Sequence, residues 1–161
     1  MLAAAIRPYA PADLDAVVAL VRELQVWEAQ YFDRMTPPEE IGASYVERVL
    51  ADCARLDGTI LVAAADGSIV GYASVFSGAD SADEGDEVFY RFAYVGDLVV
   101  AERARGTGIG RALLAECERR AREAGVRWLR IGVIASNQRA LRLYREFGFR
   151  DGRVLLEKVL D

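Results

Sequence analysis

The sequence predicts a mixed α/β fold (an α+β arrangement) in one domain that covers residues 1–161. Segments with strand and helix patterns follow one another in the order βααβββαβαβ(β), and neither a repeat nor a linker interrupts them. Length and composition agree with one buried core, since the chain has 161 residues, 53% hydrophobic side chains and only 4 prolines.

The chain opens with a short strand and two helices. The strand is predicted over residues 4–9, and a helix begins at Pro11–Asp13. A capping box with prolines in its first turn, residues 36–39, predicts a second helix that runs to about Leu50. The apolar residues that fall at helical spacing in the first helix are Leu14, Val17, Val18, Val21 and Leu24.

Three strands come next. Residues 59–65 and 68–76 are apolar runs joined by Asp66-Gly67, a pair typical of tight hairpin turns. The acidic segment 80–87 follows as a loop, and a longer strand is predicted over residues 88–100.

The last third of the chain alternates helix and strand. A helix is predicted over residues 108–124, a strand over residues 128–134, and a further helix that Ser136 or Asn137 caps. Residues 149–160 are predicted to form one or two final strands.

Residues 105–110, Arg-Gly-Thr-Gly-Ile-Gly, form a glycine-rich turn between a predicted strand and a predicted helix. Such a turn directs backbone N–H groups at a phosphate, and glycine allows the tight turn and the close approach of the ligand. A P-loop would need Gly-Lys-Ser/Thr after the glycines, and the dinucleotide fingerprint would need glycine at position 111, which is Arg111. Neither of these motifs is present.

The pattern that fits is Arg/Gln-x-x-Gly-x-Gly/Ala, filled by Arg105, Gly108 and Gly110. The matching positions downstream are Asn137, Ala140, Tyr144, Gly148 and Phe149. With this set, over about residues 96–150, the chain resembles the GNAT superfamily of acetyl-CoA-dependent N-acetyltransferases. The resemblance implies a GNAT-like fold with a central, mostly antiparallel sheet of about six to seven strands, flanked by about four helices.

The resemblance also implies an acetyl-CoA site around the glycine turn. In the family, the pantetheine arm lies between two splayed central strands and contacts the strand before the turn through its backbone, where one N–H faces the thioester oxygen. The turn would hold the pyrophosphate at the positive end of the helix dipole, and Asn137 would bind pantetheine or simply cap its helix. The expected cofactor-binding residues are Leu98, Val99, Val100, Arg105, Gly106, Thr107, Gly108, Ile109, Gly110, Arg111, Asn137, Ala140 and Tyr144.

Tyr144 is expected to be the general acid, with a core tyrosine as the alternative. It follows Asn137 by two helical turns, and a phenol with a reference pKa of about 10 suits protonation of a thiolate. Family members often use a carboxylate on the strand before the turn as the base, which makes Asp97 the first candidate and Glu87 and Glu28 further ones. A free-base amine can also be taken directly from solution.

Trp27, Glu28 and Tyr31, with Tyr45, lie where this family usually lines its acceptor cleft. Aromatic rings and a carboxylate suit a cationic amine, and the acidic segment 80–87 is either a solvated loop or a rim that attracts one. The expected reaction is acetyl transfer to a small, cationic primary amine by direct attack in a ternary complex. A protein or peptide amine, a non-catalytic acyl-CoA-binding regulatory domain and an interaction module are the alternatives, and a homodimer is compatible with the family.

The composition restricts the chemistry. The chain contains no histidine, which removes Ser-His-Asp and Cys-His catalysis and the commonest zinc ligand, so no metal site is expected. Cys53 and Cys117 fall in predicted helices and are expected to be buried thiols. Proton transfer must therefore use carboxylates, tyrosine, the single lysine Lys158, a thiol, backbone groups or water.

Charge is unevenly distributed along the chain. Residues 1–100 carry 6 basic and 17 acidic side chains, a net of −11, whereas residues 101–161 carry 14 and 8, a net of +6. The basic part contains the glycine turn and suits an anionic cofactor, while the overall acidity argues against nucleic acid as a partner. Apolar runs are too short for a membrane span, and the first residues lack the features of a signal peptide, so a cytoplasmic protein is expected.

Overall fold

The computed structural model describes residues 4–85 and 87–160, so residues 1–3, Asp86 and Asp161 lie outside the described residues. The strands and helices are β1 (Ala5–Pro8), α1 (Leu14–Glu28), α2 (Ala43–Arg55), β2 (Gly58–Ala65), β3 (Ser68–Asp80), β4 (Arg91–Val100), α3 (Ile109–Glu123), β5 (Trp128–Ile131) and α4 (Gln138–Phe147). Short 3-10 turns occur at Pro11–Asp13, Pro38–Glu40 and Glu102–Ala104.

The strands form one sheet in the order β1-β2-β3-β4-β5. Neighbouring strands are antiparallel except β4 and β5, which are parallel. This arrangement confirms the predicted mixed α/β class with a mostly antiparallel sheet. It also places β5 at one edge of the sheet and β1 at the other.

Both faces of the sheet are buried. In β2, Ile60 and Val62 belong to the core on the side of α1 and α2, and Leu61 and Ala63 belong to the core on the side of α3. Successive side chains of a strand point to opposite faces, so a strand covered on both sides is apolar throughout. This explains why the sequence of β2 shows a continuous apolar run instead of an alternation.

The predicted hairpin between β2 and β3 is confirmed. Asp66 and Gly67 both have positive φ, 48° and 74°, as the mirror-image turns of tight hairpins require. Glycine adopts this conformation without strain, and aspartate tolerates it better than most residues do.

The predicted start of the second helix is wrong. Residues 36–39 do not form a capping box on α2; a 3-10 turn covers Pro38–Glu40, and α2 begins only at Ala43. Ile41, between the 3-10 turn and α2, is extended and buried. Its side chain packs into the core, and the backbone is not helical at this residue. The helix then continues to Arg55, beyond the predicted end at Leu50.

The predicted number of strands is also too high. Residues 149–160 form no strand within the described chain, and the sheet has five strands there instead of six to seven. Strand propensity alone does not produce a strand, because the backbone needs a neighbour with which to pair. Two other strands are shorter than predicted, since β4 begins at Arg91 and β5 ends at Ile131.

Among the described residues, none of the helices combines the length and the apolar character that a transmembrane helix needs.

Candidate active site

The parallel strands β4 and β5 pair along only part of their length. Residues 92–95 of β4 pair with residues 128–131 of β5, and the chain then leaves the sheet after Ile131. β4 continues to Val100 and remains paired with β3 on its other side. Within the described chain, residues 96–100 therefore have one edge without a partner strand, and backbone groups on that edge can pair with an extended ligand.

A β-bulge lies in β4 at the start of this unpaired edge. Two residues of β4, Gly96 and Asp97, face one residue of β3, Ser74. The Asp97 N–H donates to Ser74 Oγ at 2.9 Å, which replaces the backbone partner that a regular strand would provide. Bulges redirect side chains and are common beside active sites. Here the bulge determines the position of Asp97.

The unpaired edge leads directly into the glycine turn. Gly106 and Gly108 have positive φ, 82° and 93°, and Gly108 is the N-cap of α3. The Thr107 hydroxyl donates to the Ala104 carbonyl at 2.6 Å and closes the turn. The first N–H groups of α3 have no acceptor inside the helix, and they lie at the positive end of its dipole. This geometry can hold a phosphate group.

The Arg105 side chain connects the glycine turn to β4 and α1. Its Nε donates to the Val100 carbonyl at 3.0 Å, its guanidinium pairs with Glu23 at 3.0 Å, and the same group lies 4.7 Å from the centre of the Trp27 ring. Only 15% of the side chain is exposed. Arg105 thus ties the turn to β4 and α1, whereas Arg111 on the first turn of α3 is exposed. A contact of either residue with a phosphate stays a prediction.

Asp97 belongs to a buried polar cluster that includes Tyr45 of α2. The Tyr45 hydroxyl donates to Asp97 Oδ1 at 2.9 Å. Burial raises the pKa of Asp97, and this effect exceeds the opposing effect of its hydrogen bonds. The Tyr72 hydroxyl is buried beside this pair.

Glu28, at the end of α1, lies near this cluster. Its side chain is half-buried, and no hydrogen bond or ion pair of its carboxylate occurs within the described part of the chain. Burial raises the pKa of Glu28, and the charge of Asp97 raises it further. The charge of Asp97 is therefore close enough to act on Glu28.

Tyr144 of α4 lies close to Glu28. Burial raises the pKa of Tyr144 above its ordinary value, and the charge of Glu28 and the Tyr94 hydroxyl contribute to the same shift. Its ring packs edge-on against Phe149 at 6.0 Å between centroids. The phenol therefore keeps its proton at neutral and mildly alkaline pH. The charge of Asp97 thus acts on Glu28 and the charge of Glu28 acts on Tyr144, so the fold brings the two expected catalytic residues close to the same carboxylate.

The other predicted residues occupy defined positions. Trp27 packs edge-on against Tyr31 at 6.0 Å as well as against Arg105. Asn137 is buried, and its Oδ1 accepts from the Ala140 N–H at 3.1 Å, so the residue does cap α4. The cap uses the side-chain oxygen and leaves the Asn137 Nδ2 group as a donor.

Three polar residues of the cluster were not predicted to act with Asp97: Tyr45, Tyr72 and Ser74. Tyr94, which contributes to the pKa shift of Tyr144, was not predicted either. Tyr45 had been assigned only to the acceptor cleft, and its contact with Asp97 spans 52 positions of sequence. The Tyr94 hydroxyl lies so close to the backbone of Gly132 that a Cβ there would be 2.9 Å from it. The sequence contains seven tyrosines, but composition alone does not indicate which of them contact each other or Asp97.

Two acidic side chains of the segment 80–87 are paired with arginines. Glu84 pairs with Arg130 at 3.1 Å and with Arg153 at 2.9 Å. Glu87, a further candidate for the base, accepts from the Tyr90 hydroxyl at 2.9 Å and pairs with Arg153. Both glutamates are thus neutralised by arginines, which favours the interpretation of this segment as a structured loop.

Both cysteines are buried and free, as predicted. Burial raises the pKa of the Cys53 thiol to about 11 and that of the Cys117 thiol to about 12, so neither is a reactive thiolate at neutral pH. Within residues 4–85 and 87–160, no group of three or more histidine, cysteine or acidic side chains is arranged to hold a metal ion.

Comparison with known proteins agrees with this geometry. The model of the acetyltransferase (GNAT) family matches residues 21–149. The chain is 33% identical over 104 residues to mycothiol acetyltransferase of Nocardiopsis dassonvillei, an alignment that covers 65% of this chain and 31% of that protein. It is 27% identical over 135 residues to the D-amino-acid N-acetyltransferase HPA3 of Saccharomyces cerevisiae, covering 83% of this chain and 81% of the relative.

The fold has a solved counterpart. A mutant form of the BH1408 protein of Bacillus halodurans superposes with a TM-score of 0.85 over 97% of this chain and 99% of that one, at 22% identity. At this identity the likeness to the BH1408 protein shows the fold alone. The chain spans less than half the length of the relative mycothiol acetyltransferase. The family match, over most of the chain and across the splayed strands, glycine turn and capped α4, shows that this chain belongs to the GNAT acetyltransferase family.

Proposed function

We propose that this chain is an N-acetyltransferase with a single domain over residues 1–161. It transfers the acetyl group of acetyl-CoA to a small, cationic primary amine by direct attack in a ternary complex. One observation carries the proposal: within the described chain, the β5 side of β4 has no partner strand over residues 96–100, and this segment runs into the glycine turn at the start of α3. An extended chain that ends in a pyrophosphate fits this shape.

The residues present fit acetyl-CoA as the acyl donor, which supplies an activated thioester carbonyl. Within Leu98–Val100, the backbone groups that point to the open edge are available to the pantetheine arm, and Asn137 offers its Nδ2 group. The N–H groups from Gly106 to Arg111 surround the pyrophosphate at the positive end of the α3 dipole. The basic character of residues 101–161 adds long-range attraction for this anion.

The acceptor side is defined by Glu28. A half-buried carboxylate without a cationic partner in the described chain attracts an ammonium group. Trp27 and Tyr31 supply aromatic surface at the same end of α1. HPA3, a relative that aligns over 83% of this chain, is by its name a D-amino-acid N-acetyltransferase, which supports a small acceptor.

The proton steps follow from the two carboxylates and one phenol. Glu28, with Asp97 close to it, takes a proton from the ammonium group, because its raised pKa makes it a stronger base than an ordinary carboxylate, and the pKa of Asp97 is raised in the same direction. The free amine then attacks the carbonyl, a C–N bond forms and the C–S bond breaks. Tyr144 gives its proton to the leaving thiolate. The nitrogen then loses its second proton, which restores the Tyr144 phenol through water, and the carboxylates release the first proton to solvent.

Direct attack is favoured over a covalent acetyl-enzyme. The chain has only two cysteines, both buried, and their raised pKa values keep them protonated. The acetyl group is therefore transferred directly to the amine, without an acetyl-cysteine intermediate.

The donor site is tested by replacing Gly106 with alanine. A left-handed conformation costs a residue with a Cβ about 1–2 kcal/mol, so the variant should reshape the turn and raise the Kd for acetyl-CoA by about five- to thirtyfold. Isothermal titration calorimetry measures this change.

The matched control is Gly67→Ala in the β2–β3 hairpin. It has a similar positive φ of 74° and, like Gly106, has open space around its Cβ position. Its substitution should lower the melting temperature and leave the Kd unchanged. If both variants bind acetyl-CoA as tightly as the wild type does, the turn does not hold the pyrophosphate.

The carboxylate pair is tested by Asp97→Asn. The pKa of Glu28 is raised partly by the charge of Asp97, so removal of that charge should lower it. The acidic limb of the kcat/KM profile should then move to lower pH, because the base ionises at lower pH. Asparagine retains the oxygen that accepts from Tyr45.

The control for this substitution is Asp66→Asn in the exposed hairpin turn, which should leave the pH profile unchanged. A shift of the acidic limb to higher pH in Asp97→Asn, or the same profile in both variants, would contradict the pairing of Glu28 with Asp97.

A further inference from the structure

A residue of α1 anchors the segment that connects β4 to the glycine turn. Ala101 is the N-cap of the 3-10 turn Glu102–Ala104, and its side chain forms no capping hydrogen bond. Glu23 of α1 supplies this bond, because its Oε1 accepts from the Glu102 N–H at 2.6 Å across 79 positions of sequence. A carboxylate that accepts from the first N–H of a helical turn satisfies a donor that has no partner inside the turn.

The same oxygen of Glu23 also binds Arg105. The Arg105 Nη2 group donates to Glu23 Oε1 at 3.0 Å. The Trp27 ring lies one helical turn further along α1, and its centre is 4.7 Å from the same guanidinium. Because a carboxylate and an aromatic ring both attract a guanidinium, α1 fixes Arg105 through two contacts.

The anchored segment continues directly into the glycine turn. Glu23 thus binds residues at both ends of the segment 102–105. Within this segment the Arg105 N–H donates to the Glu102 carbonyl at 3.2 Å, and the Ala104 carbonyl accepts from the Thr107 hydroxyl at 2.6 Å. A displacement of residues 102–105 would therefore be passed on to the N–H groups of the turn.

The glycine turn needs such a restraint from outside. Gly106 has open space around the position of a Cβ atom, so side-chain packing does not hold the backbone there. Glycine also has the largest conformational freedom to lose when a segment becomes ordered. A turn that is already ordered before its ligand arrives loses less entropy on binding and binds more tightly.

We propose that Glu23 is a positioning residue that holds the glycine turn in the conformation that binds the pyrophosphate of acetyl-CoA. It acts through Glu102 and Arg105 and does not itself contact the cofactor. This inference rests on the proposed function, which assigns the pyrophosphate to this turn. It also means that α1 contributes to both sites, since Trp27 and Glu28 lie on the acceptor side.

The test is the Kd for acetyl-CoA, measured by isothermal titration calorimetry. Glu23→Ala should raise the Kd by about tenfold, because two hydrogen bonds that order the turn are lost. Glu23→Gln keeps an oxygen that can accept from both donors. Its Kd should stay within about twofold of the wild-type value, because the ion pair with Arg105 is partly exposed and its charge contributes little. Glu47→Ala, at an exposed position of α2, is the matched control and should bind as the wild type does.

A double-mutant cycle separates positioning from a general loss of stability. In an Arg105→Ala background, Glu23→Ala should raise the Kd by a smaller factor than in the wild type, because one of its two contacts is already absent. Cooperative thermal unfolding shows that each variant is folded.

Three results would each overturn the inference while the proposed function stands. They are an equal factor in both backgrounds, an unchanged or lower Kd in Glu23→Ala, and a Glu23→Gln variant that binds as weakly as Glu23→Ala. A wild-type chain that fails to bind acetyl-CoA would contradict the proposed function and this inference together.

Discussion

Replacement of Tyr144 by phenylalanine is expected to lower kcat by about 100- to 10,000-fold, the usual contribution of a general acid or base. Burial and the charge of Glu28 raise the pKa of Tyr144, so the wild-type phenol is protonated when the thiolate leaves. Phenylalanine keeps the ring and its contact with Phe149 but cannot give a proton. The Kd for acetyl-CoA, measured by calorimetry, should therefore hardly change.

Tyr9→Phe provides the matched control. Tyr9 is a half-buried tyrosine that follows β1 at the far edge of the sheet and packs against the core of α1 and α2. Its substitution should leave kcat unaffected. A Tyr144→Phe enzyme with wild-type kcat would show that Tyr144 is a core tyrosine and that another group protonates the thiolate.

Replacement of Glu28 by glutamine should lower kcat/KM for the amine by about 100- to 10,000-fold at neutral pH. The variant loses the charge that attracts the ammonium group and the base that takes its proton. Its remaining activity should depend on amine that is already in the free-base form. The rate should therefore rise by about tenfold per pH unit until the amine itself has lost its proton.

Glu47→Gln, on an exposed position of α2, is the same chemical change outside the cleft and should leave the profile unchanged. If Glu28→Gln lowered the rate to the same extent at every pH, Glu28 would serve only in binding. Wild-type kinetics would exclude it from both roles.

Local sequence features could be predicted well. The positive φ values of Gly67, Gly106 and Gly108, and the cap that Asn137 forms on α4, depend on residues within a few positions of one another. Glycine is favoured where φ is positive and asparagine is favoured at helix N-caps, so these residue types indicate the local conformation directly. For the same reason the strand–turn–helix order around the glycine turn could be predicted without the structure.

The arrangement of the polar cluster could not be predicted in the same way. The bulge at Asp97 depends on how β3 and β4 align, and the hydrogen bond from Tyr45 depends on where α2 packs on the sheet. Both are long-range consequences of core packing. On residue type alone, Asp97, Glu87 and Glu28 are equivalent candidates for the base, whereas in the structure Glu87 accepts from the Tyr90 hydroxyl and pairs with Arg153.

The C-terminal strands are a different kind of discrepancy. The apolar and β-branched composition of residues 149–160 expresses a tendency to pair, and a partner for that pairing is not found within the described chain. A sequence pattern shows that a segment tends to form a strand, but it does not show whether the edge of another strand is available for pairing.

The most direct measurement is the release of free thiol from acetyl-CoA in the presence of a panel of amines at mildly alkaline pH. The panel includes polyamines, aminoglycosides, amino acids and short peptides, with Tyr144→Phe as the control enzyme. We expect rapid release with one class of small cationic amine and its loss in the control. Acetyl-CoA that binds without release for any amine of the panel, or equal release by the Tyr144→Phe enzyme, would contradict the proposed function.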